Sequence, residues 1–183
     1  MIIKNGTRVL RPSEFKKLLS AIPSKKNQLI VQAMLYSGMR FVELKRLMNN
    51  PNWLMSSGFV YLPKEASRKA RRKQVERWVR LNKKGYRVIR QLLRSKYRLA
   101  TRQSYNEMLK LWAKKAGIGA TGMCVKTFRK TLESWLVSAY PERILEITLS
   151  QGHNELTSVR HYLNMPFDEN DKKSILKFLN KWI

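Results

Sequence analysis

The chain has 183 residues, of which 43% are hydrophobic, so it can bury one sizeable core. Its 38 basic and 12 acidic residues give a net charge of +26, which indicates a polyanionic partner, with an anionic membrane surface as the competing one. The sequence contains no run of eighteen apolar residues to span a bilayer, and its single cysteine, Cys124, excludes an internal disulfide and a cysteine-rich metal site.

Three helices are predicted in the first fifty residues. In "RPSEFKKLLSAIP", Ser13 is a candidate N-cap and Pro23 ends the helix. The apolar stripe of this helix consists of Phe15, Leu18, Leu19 and Ile22. "QLIVQAMLYSGM" is apolar nearly all round, which is typical of a buried helix, and Gly38 is its stop. "RFVELKRLM" then starts the third helix.

A β-hairpin followed by a series of helices is predicted beyond residue 50. "GFVYLP" and "VERWVRL" are rich in β-formers and flank the basic "KEASRKARRKQ", a pattern typical of a hairpin with a basic tip. The helical patterns after it cover about 84–99, 103–116, 125–139, 142–150, 155–163 and 169–182. The predicted fold is therefore mostly α with one small antiparallel sheet.

Positive charge is concentrated around this hairpin. Fifteen Lys or Arg and two Glu lie between Lys64 and Arg98, with Trp78, Tyr86 and Tyr97 among them. Such a run is either a solvated face or a surface that contacts phosphates. Phosphate contact is favoured, because the charge covers the hairpin tip and continues along the following helix.

Two motifs bring an arginine together with a second charged residue. In "SGMRFVEL", Arg40 and Glu43 are either an ordinary surface pair worth a few tenths of a kcal/mol or an arginine held at the mouth of a cleft by its carboxylate. In "KTFRKT", Lys126 and Arg129 lie on one helix face. Two cations gain nothing for folding unless an anion lies between them, although chance adjacency in so basic a chain is the alternative.

Both histidines and a nearby tyrosine lie in "GHNELTSVRHYL". Gly152 ends the helix that contains "RILEITL", His153 follows it directly, and Tyr162 comes nine residues later. Taken separately, His153 could be a helix cap and Tyr162 a half-buried aromatic residue. A lone tyrosine is more often a core residue than a nucleophile.

Taken in order, these motifs resemble those of the tyrosine recombinases, site-specific recombinases of the lambda-integrase type. That family has an arginine after a helix break, a lysine on a β-hairpin, an H/K-x-x-R pair, a Gly-His, and a tyrosine nine residues beyond that histidine. Over residues 10–165, the matching residues are Arg40 in "SGMRFVEL", Lys126 and Arg129 in "KTFR", His153 in "QGH" and Tyr162 in "TSVRHY".

Two lysines are assigned from this resemblance. The hairpin lysine corresponds to Lys64, with Lys69 and Lys73 as alternatives on a longer hairpin. Lys126 stands where most members have histidine, and in this respect the chain resembles integrases of archaeal viruses and plasmids. Because a lysine has a reference pKa of about 10.4, Lys126 is expected to be a phosphate clamp or an acid instead of a general base.

The resemblance implies the tyrosine recombinase catalytic-domain fold and a recombinase or integrase activity. Tyr162 would attack a DNA phosphate and form a 3'-phosphotyrosyl link. Arg40, Arg129 and His153 would stabilise the transition state, and Lys64 would protonate the leaving oxygen. No cofactor and no metal are expected, because cationic side chains take the part that a metal would have.

The resemblance also implies double-stranded DNA as the partner. The expected DNA-binding residues, all near the hairpin tip, are Arg68, Lys69, Arg71, Arg72 and Lys73. We expect a monomer in isolation and a homotetramer on DNA, with no membrane association. The expected location is cytoplasmic and nucleoid-associated, in the host cell if the gene is viral.

Two domains are expected. Residues 1–165 would be the catalytic domain, and 166–183 a tail helix that either packs on its own domain or is exchanged between protomers. The family's N-terminal core-binding domain is expected to be absent. Two other functions remain open: a non-catalytic DNA-binding protein, such as a decayed recombinase acting as a regulator, and an RNA-binding protein. Both explain the charge, but neither explains the ordered motifs.

Overall fold

The computed structural model describes residues 1–67, 76–95, 97–152 and 165–179 of the chain. Within them the fold is mostly helical with two small antiparallel hairpins. In chain order, helices α1 to α8 are Pro12–Ala21, Lys25–Ser37, Phe41–Asn49, Lys83–Arg94, Arg102–Lys115, Lys126–Ala139, Ile144–Gln151 and Glu169–Leu179. Single 3₁₀ turns lie at Pro51–Trp53, Lys64–Ser67 and Pro141–Arg143.

The predicted hairpin is present, and a second one precedes α1. Strands β3 (Phe59–Leu62) and β4 (Arg77–Arg80) pair antiparallel, as "GFVYLP" and "VERWVRL" predicted. Strands β1 (Ile2–Lys4) and β2 (Thr7–Val9) were not predicted. Their turn is Asn5-Gly6, where both residues have positive φ, and this dipeptide is the typical signal of a two-residue hairpin turn.

The core is centred on α2 and α6. Helix α2 buries Ile30, Val31, Leu35 and most of its other apolar residues against α4 and α6, in agreement with its apolar sequence. Gly38 ends it in the left-handed conformation, as predicted. Helix α6 is buried on almost all sides, and Trp135 Nε1 donates a 2.9 Å hydrogen bond to the carbonyl oxygen of Leu10. The candidate site lies at the C-terminal end of α2 and beside the first turn of α6.

The start of α1 differs from its prediction. The N-cap is Arg11 and not Ser13, because Pro12 occupies the first helical position, where its missing N–H is no loss. Glu14 Oε2 accepts a 2.8 Å hydrogen bond from the backbone N–H of Arg11. The Arg11 N–H is therefore satisfied by a carboxylate three residues on, a role that Ser13 could not fill.

Helix α4 is the predicted helix whose end differs most. The prediction ran from 84 to 99, whereas α4 ends at Arg94. Ser95 closes it, since its N–H donates to Gln91 and Leu92 and its hydroxyl donates to the Leu92 carbonyl at 2.7 Å. The predicted helix 155–163 lies outside the described residues.

The tail helix α8 packs against its own domain, on α1 and α6. Phe178 stacks on Tyr36 with ring centroids 4.6 Å apart and contacts Phe15 and Trp135 edge-on. Ile175 and Leu179 are buried in the same core. The buried part of the tail's apolar stripe is therefore covered within the chain, which is the first of the two arrangements expected for it; exchange between protomers stays a prediction.

Candidate functional site

Glu43 is the centre of a cluster of arginines at the start of α3. Its side chain is fully buried, and each of its two oxygens accepts a hydrogen bond from a different group of Arg40. Oε1 accepts from Arg40 Nη1 at 2.7 Å, and Oε2 accepts from the Arg40 backbone N–H at 2.6 Å. Arg40 follows Gly38 and Met39 as the N-cap of α3, and its side chain is 36% exposed. A partly exposed guanidinium is thus held by a buried carboxylate.

Arg77 is the residue of this cluster that the sequence motifs did not identify. It is the first residue of β4, and its Nη2 donates to Glu43 Oε2 at 2.6 Å. Its side chain is only 8% exposed. The signal for it was the alternation in "VERWVRL", where Arg77 shares a strand face with Val79, and both are buried.

Arg129 joins the ends of two helices to this cluster. Its Nη1 donates to the Gly38 carbonyl oxygen at 3.0 Å, and its Nη2 donates to the carbonyl oxygen of Gln151. Gly38 follows α2, and Gln151 is the last residue of α7. Arg129 therefore satisfies carbonyl groups at two helix C-termini that have no partner within their own helices.

The charges of these residues are strongly coupled. Burial acts to raise the pKa of Glu43, but the positive charges of Arg77, Arg40 and Arg129 outweigh it and lower that pKa to about 2. Burial, together with the charges of Arg77 and Arg40, lowers the pKa of Arg129 to about 9. The three guanidinium groups outnumber the carboxyl groups of Glu43 and of buried Glu133, whose charge also acts on Arg129, so the cluster is net positive and attracts an anion.

Two glycines allow these elements to approach closely. A Cβ on Gly38 would lie 2.6 Å from Gln151 Oε1, and one on Gly152 would lie 2.8 Å from Arg77 Cδ. Both glycines have positive φ, 61° and 64° respectively. The glycines that were predicted as helix stops are thus also the points where α2 meets the end of α7 and where α7 meets β4.

The two predicted lysines within the described residues lie at the protein surface. Lys64 begins the 3₁₀ turn after β3, and Lys126 is the first residue of α6; both are exposed. Lys126 therefore differs in burial from Arg129, one turn later on the same helix. Burial and the charge of Lys126 lower the pKa of Lys130, whose ammonium donates to the Lys4 carbonyl oxygen at 2.8 Å.

The structure thus brings together Arg40, Glu43 and Arg129, and adds Arg77 to them. The remaining predicted site residues lie outside the described residues. They are Arg68, Lys69, Arg71, Arg72, Lys73, His153 and Tyr162. His153 follows Gly152 directly in the sequence, and Gly152 is the last residue described before this gap.

The described residues hold neither a candidate metal site nor a candidate membrane span. Among them, no three His, Cys, Asp or Glu side chains are grouped so that they could hold a metal ion. Within the same part of the chain, no helix has the length and apolar character needed to cross a membrane.

One solved structure matches the chain along almost its whole length. It is a crystal structure of XerA recombinase, with a TM-score of 0.61 and 17% sequence identity, covering 97% of this chain and 67% of the XerA chain. No protein-family model and no curated protein sequence matches the chain. The mostly helical fold with small antiparallel sheets is thus that of a tyrosine recombinase, as predicted.

Proposed function

We propose that this protein is a site-specific DNA recombinase or integrase that cleaves and rejoins DNA through a covalent 3'-phosphotyrosyl intermediate. The observation that carries the proposal is the cluster of partly exposed Arg40 with buried Arg77 and Arg129 near the Glu43 carboxylate. The cluster is net positive, and it occurs in a fold that is similar to XerA recombinase. The ordered motifs around Arg40, Arg129, His153 and Tyr162 support the same reaction.

In the proposed reaction, the Tyr162 hydroxyl attacks a backbone phosphate and forms a phosphorus–oxygen bond at the 3' end of the cleaved strand. The Tyr162 hydroxyl proton is released as the oxygen attacks, the bond from phosphorus to the 5' oxygen breaks, and that oxygen takes a proton from the hairpin lysine, which is Lys64, Lys69 or Lys73. In the reverse step, a 5'-hydroxyl of another strand returns its proton to this lysine as it attacks the phosphotyrosine, and the released Tyr162 oxygen takes up a proton again. Each step exchanges one phosphodiester for another, so no cofactor is required.

The arginines are assigned to the non-bridging oxygens of the phosphate, which gather negative charge in the transition state. Arg40 combines partial exposure with a fixed orientation, because Glu43 holds one of its nitrogens at 2.7 Å. In the proposal, Arg129 and a hydrogen bond from His153 complete the set, and Lys126 clamps the phosphate or donates a proton.

The arginine cluster favours an enzyme over a DNA-binding protein without chemistry. Burying Arg129 disfavours its charged form, as its lowered pKa shows, and this costs folding free energy at neutral pH. Arg129 offsets part of this cost by satisfying carbonyl groups at two helix ends, but DNA binding alone does not require a buried guanidinium, since exposed lysines and arginines bind phosphates equally well. Preorganised positive charge at a reacting phosphate offsets the cost through catalysis.

Binding of the duplex is assigned to the basic residues near the hairpin tip, Arg68, Lys69, Arg71, Arg72 and Lys73. We propose a monomer in isolation that assembles into a tetramer on DNA, because a net charge of +26 opposes self-association until phosphates neutralise it. Integration of a viral or plasmid genome is the biological setting that the lysine at position 126 favours.

The test is covalent trapping on a suicide substrate. Duplexes that bind the protein are first selected from a pool and are then prepared with a nick near the cleavage position. After cleavage, the short strand that carries the 5'-hydroxyl diffuses away, so the reaction cannot reverse and the protein–DNA adduct accumulates. Wild-type protein is expected to form an adduct that survives denaturing electrophoresis. Non-covalent DNA- and RNA-binding proteins form none, so absence of an adduct on every selected duplex contradicts the proposal.

Arginine variants refine the same test. Replacing Arg40 or Arg129 with alanine is expected to slow adduct formation by about a hundred- to thousandfold, with a much smaller effect on DNA affinity. Arg40→Lys restores the rate only in part, because an ammonium cannot make the bidentate contact. The matched control is Arg143→Ala, which removes a partly exposed arginine paired with Glu146. Wild-type cleavage by Arg40→Ala would make Arg40 an ordinary surface charge.

A further inference from the structure

Arg77 has no assigned role in the reaction, although its Nη2 donates to the central Glu43 carboxylate at 2.6 Å. Its side chain is 8% exposed, and Nη1 and Nη2 are directed to the Ser150 carbonyl oxygen and to Glu43 Oε2, so its contacts lie within the fold. On the basis of the proposed function, we propose that Arg77 is a positioning residue that fixes the Arg40 guanidinium and the Gly152 turn at the end of α7. It acts through the Glu43 carboxylate on one side and through the end of α7 on the other.

The contact with Glu43 determines how that carboxylate is turned. Oε2 accepts two hydrogen bonds of 2.6 Å, from Arg77 Nη2 and from the Arg40 backbone N–H. With Oε2 held in this way, Oε1 is directed to Arg40 Nη1 at 2.7 Å. Without Arg77, Oε2 keeps only the hydrogen bond from the Arg40 backbone N–H, so the carboxylate is held less firmly against the Arg40 side chain.

The contact with α7 concerns the turn that leads to His153. Arg77 Nη1 lies 3.4 Å from the Ser150 carbonyl oxygen, which is a long hydrogen bond. The closer contact is steric, because Cδ and Nε of Arg77 both lie 2.8 Å from the position of a Cβ on Gly152. The Arg77 side chain therefore packs directly against the left-handed Gly152, and a side chain at this position would both strain the backbone and displace Arg77.

The experiment must distinguish positioning by Arg77 from a purely structural role of the same residue. Breaking a buried ion pair leaves an uncompensated charge and destabilises a fold strongly, so loss of activity alone would not establish positioning. The experiment therefore uses two variants. Arg77→Lys keeps the charge but cannot reach Glu43 and α7 with a planar fork, and Arg77→Met removes the charge while keeping the length. Arg143→Met, from the exposed Arg143–Glu146 pair, is the control.

The first measurement is single-turnover cleavage at saturating DNA, below the thermal midpoint of every variant. Arg77→Lys and Arg77→Met are expected to slow cleavage by about a hundredfold, the loss typical of a preorganised donor, while Arg143→Met cleaves like wild type. The dissociation constant for one half-site is expected to change by less than about threefold, because the terminal nitrogens of Arg77 are directed to Glu43 and to the end of α7. Wild-type cleavage by Arg77→Lys would overturn the inference.

A double-mutant cycle with Arg40→Ala tests whether Arg77 acts through Arg40. If it does, the two losses are not additive, and Arg77→Lys slows the Arg40→Ala protein far less than it slows wild type. Losses that multiply fully would mean that Arg77 either destabilises the fold generally or touches the phosphate itself. Either result contradicts positioning through Glu43 and Arg40.

A spectroscopic measurement keeps the inference testable without cleavage. In ¹⁵N spectra of the DNA-free protein, the Arg40 guanidinium signal is expected to be resolved in wild type and in Arg143→Met, and to shift to the free-arginine position in Arg77→Lys. An unchanged Arg40 signal in Arg77→Lys overturns the inference. If wild type forms no adduct, the proposed function fails, whereas the Arg40 signal still decides whether Arg77 orders that side chain.

Discussion

Replacing Ile175 with alanine measures how firmly the tail helix is held by its own domain. Ile175 is fully buried where α8 packs on α6 and α1. Removing its buried methyl and methylene groups is expected to cost about 3 kcal/mol, since both apolar burial and packing are lost. In a domain of this size, each kcal/mol lowers the midpoint by about 2–4 °C, so the expected fall is about 6–12 °C.

The assay is thermal unfolding of the isolated protein without DNA, with Leu176→Ala as the matched control. Leu176 is the next residue of the helix and is 47% exposed, so its truncation is expected to change stability by no more than about 0.5 kcal/mol. If Ile175→Ala were as mild as Leu176→Ala, the tail would not be docked in cis. A much larger fall of the thermal midpoint in Ile175→Ala than in Leu176→Ala means that exchange between protomers requires the helix to leave a well-packed site.

Three further outcomes concern the site, the DNA and the tail. A ¹³C titration of the Glu43 carboxyl is expected to give a pKa of about 2 instead of 4.5. The charged form of Glu43 then contributes roughly 3 kcal/mol to the free energy of unfolding above pH 4.5, and this contribution is lost as the pH falls towards 2. Neutralising Arg71, Arg72 and Lys73 is expected to flatten the salt dependence of DNA affinity by about 0.9 for each phosphate that is no longer neutralised, whereas an unchanged slope would make them a solvated face. Deleting 167–183 is expected to lower the thermal midpoint more than Ile175→Ala does, and calorimetry of the two proteins checks this order.

The helical core could be predicted from the sequence because its periodicity is strong. Helix α2 is apolar nearly all round and ends at a glycine, and the structure follows both signals. The hairpin of β1 and β2 was missed because its strands have only three residues each, too few for alternation to stand out. Its Asn5-Gly6 turn carried more information than the strands did.

The site could be predicted only where its residues belong to a motif. The spacing in "SGMRFVEL" gave the Arg40–Glu43 pair, because three residues on a helix are one turn. Arg77 comes from a strand 34 residues after Glu43, and no local spacing connects the two. Only the packing of β4 on α7 brings Arg77 under Gly152, and that packing depends on the whole core.

The burial of the tail helix is a further case in which packing decides. The predicted apolar stripe consists of Ile175, Leu176, Phe178, Leu179 and Trp182. The structure packs Ile175, Phe178 and Leu179 on the core, whereas Leu176 is 47% exposed and Trp182 lies outside the described residues. The stripe could not determine whose surface covers it, because any apolar groove of matching shape would satisfy the pattern. The stacked ring of Tyr36 in the same chain provides that surface here.

Peptide mapping of the trapped adduct by mass spectrometry shows directly whether Tyr162 attacks DNA. We expect a nucleotide-modified peptide that contains Tyr162, and no adduct from Tyr162→Phe, whose DNA affinity stays close to that of wild type. Tyr105→Phe and Tyr140→Phe are the controls and should still form adduct; Tyr105 is buried, which raises its pKa and makes it a poor nucleophile. An adduct formed by Tyr162→Phe, or a modified peptide centred on Tyr105 or Tyr140, would contradict the account.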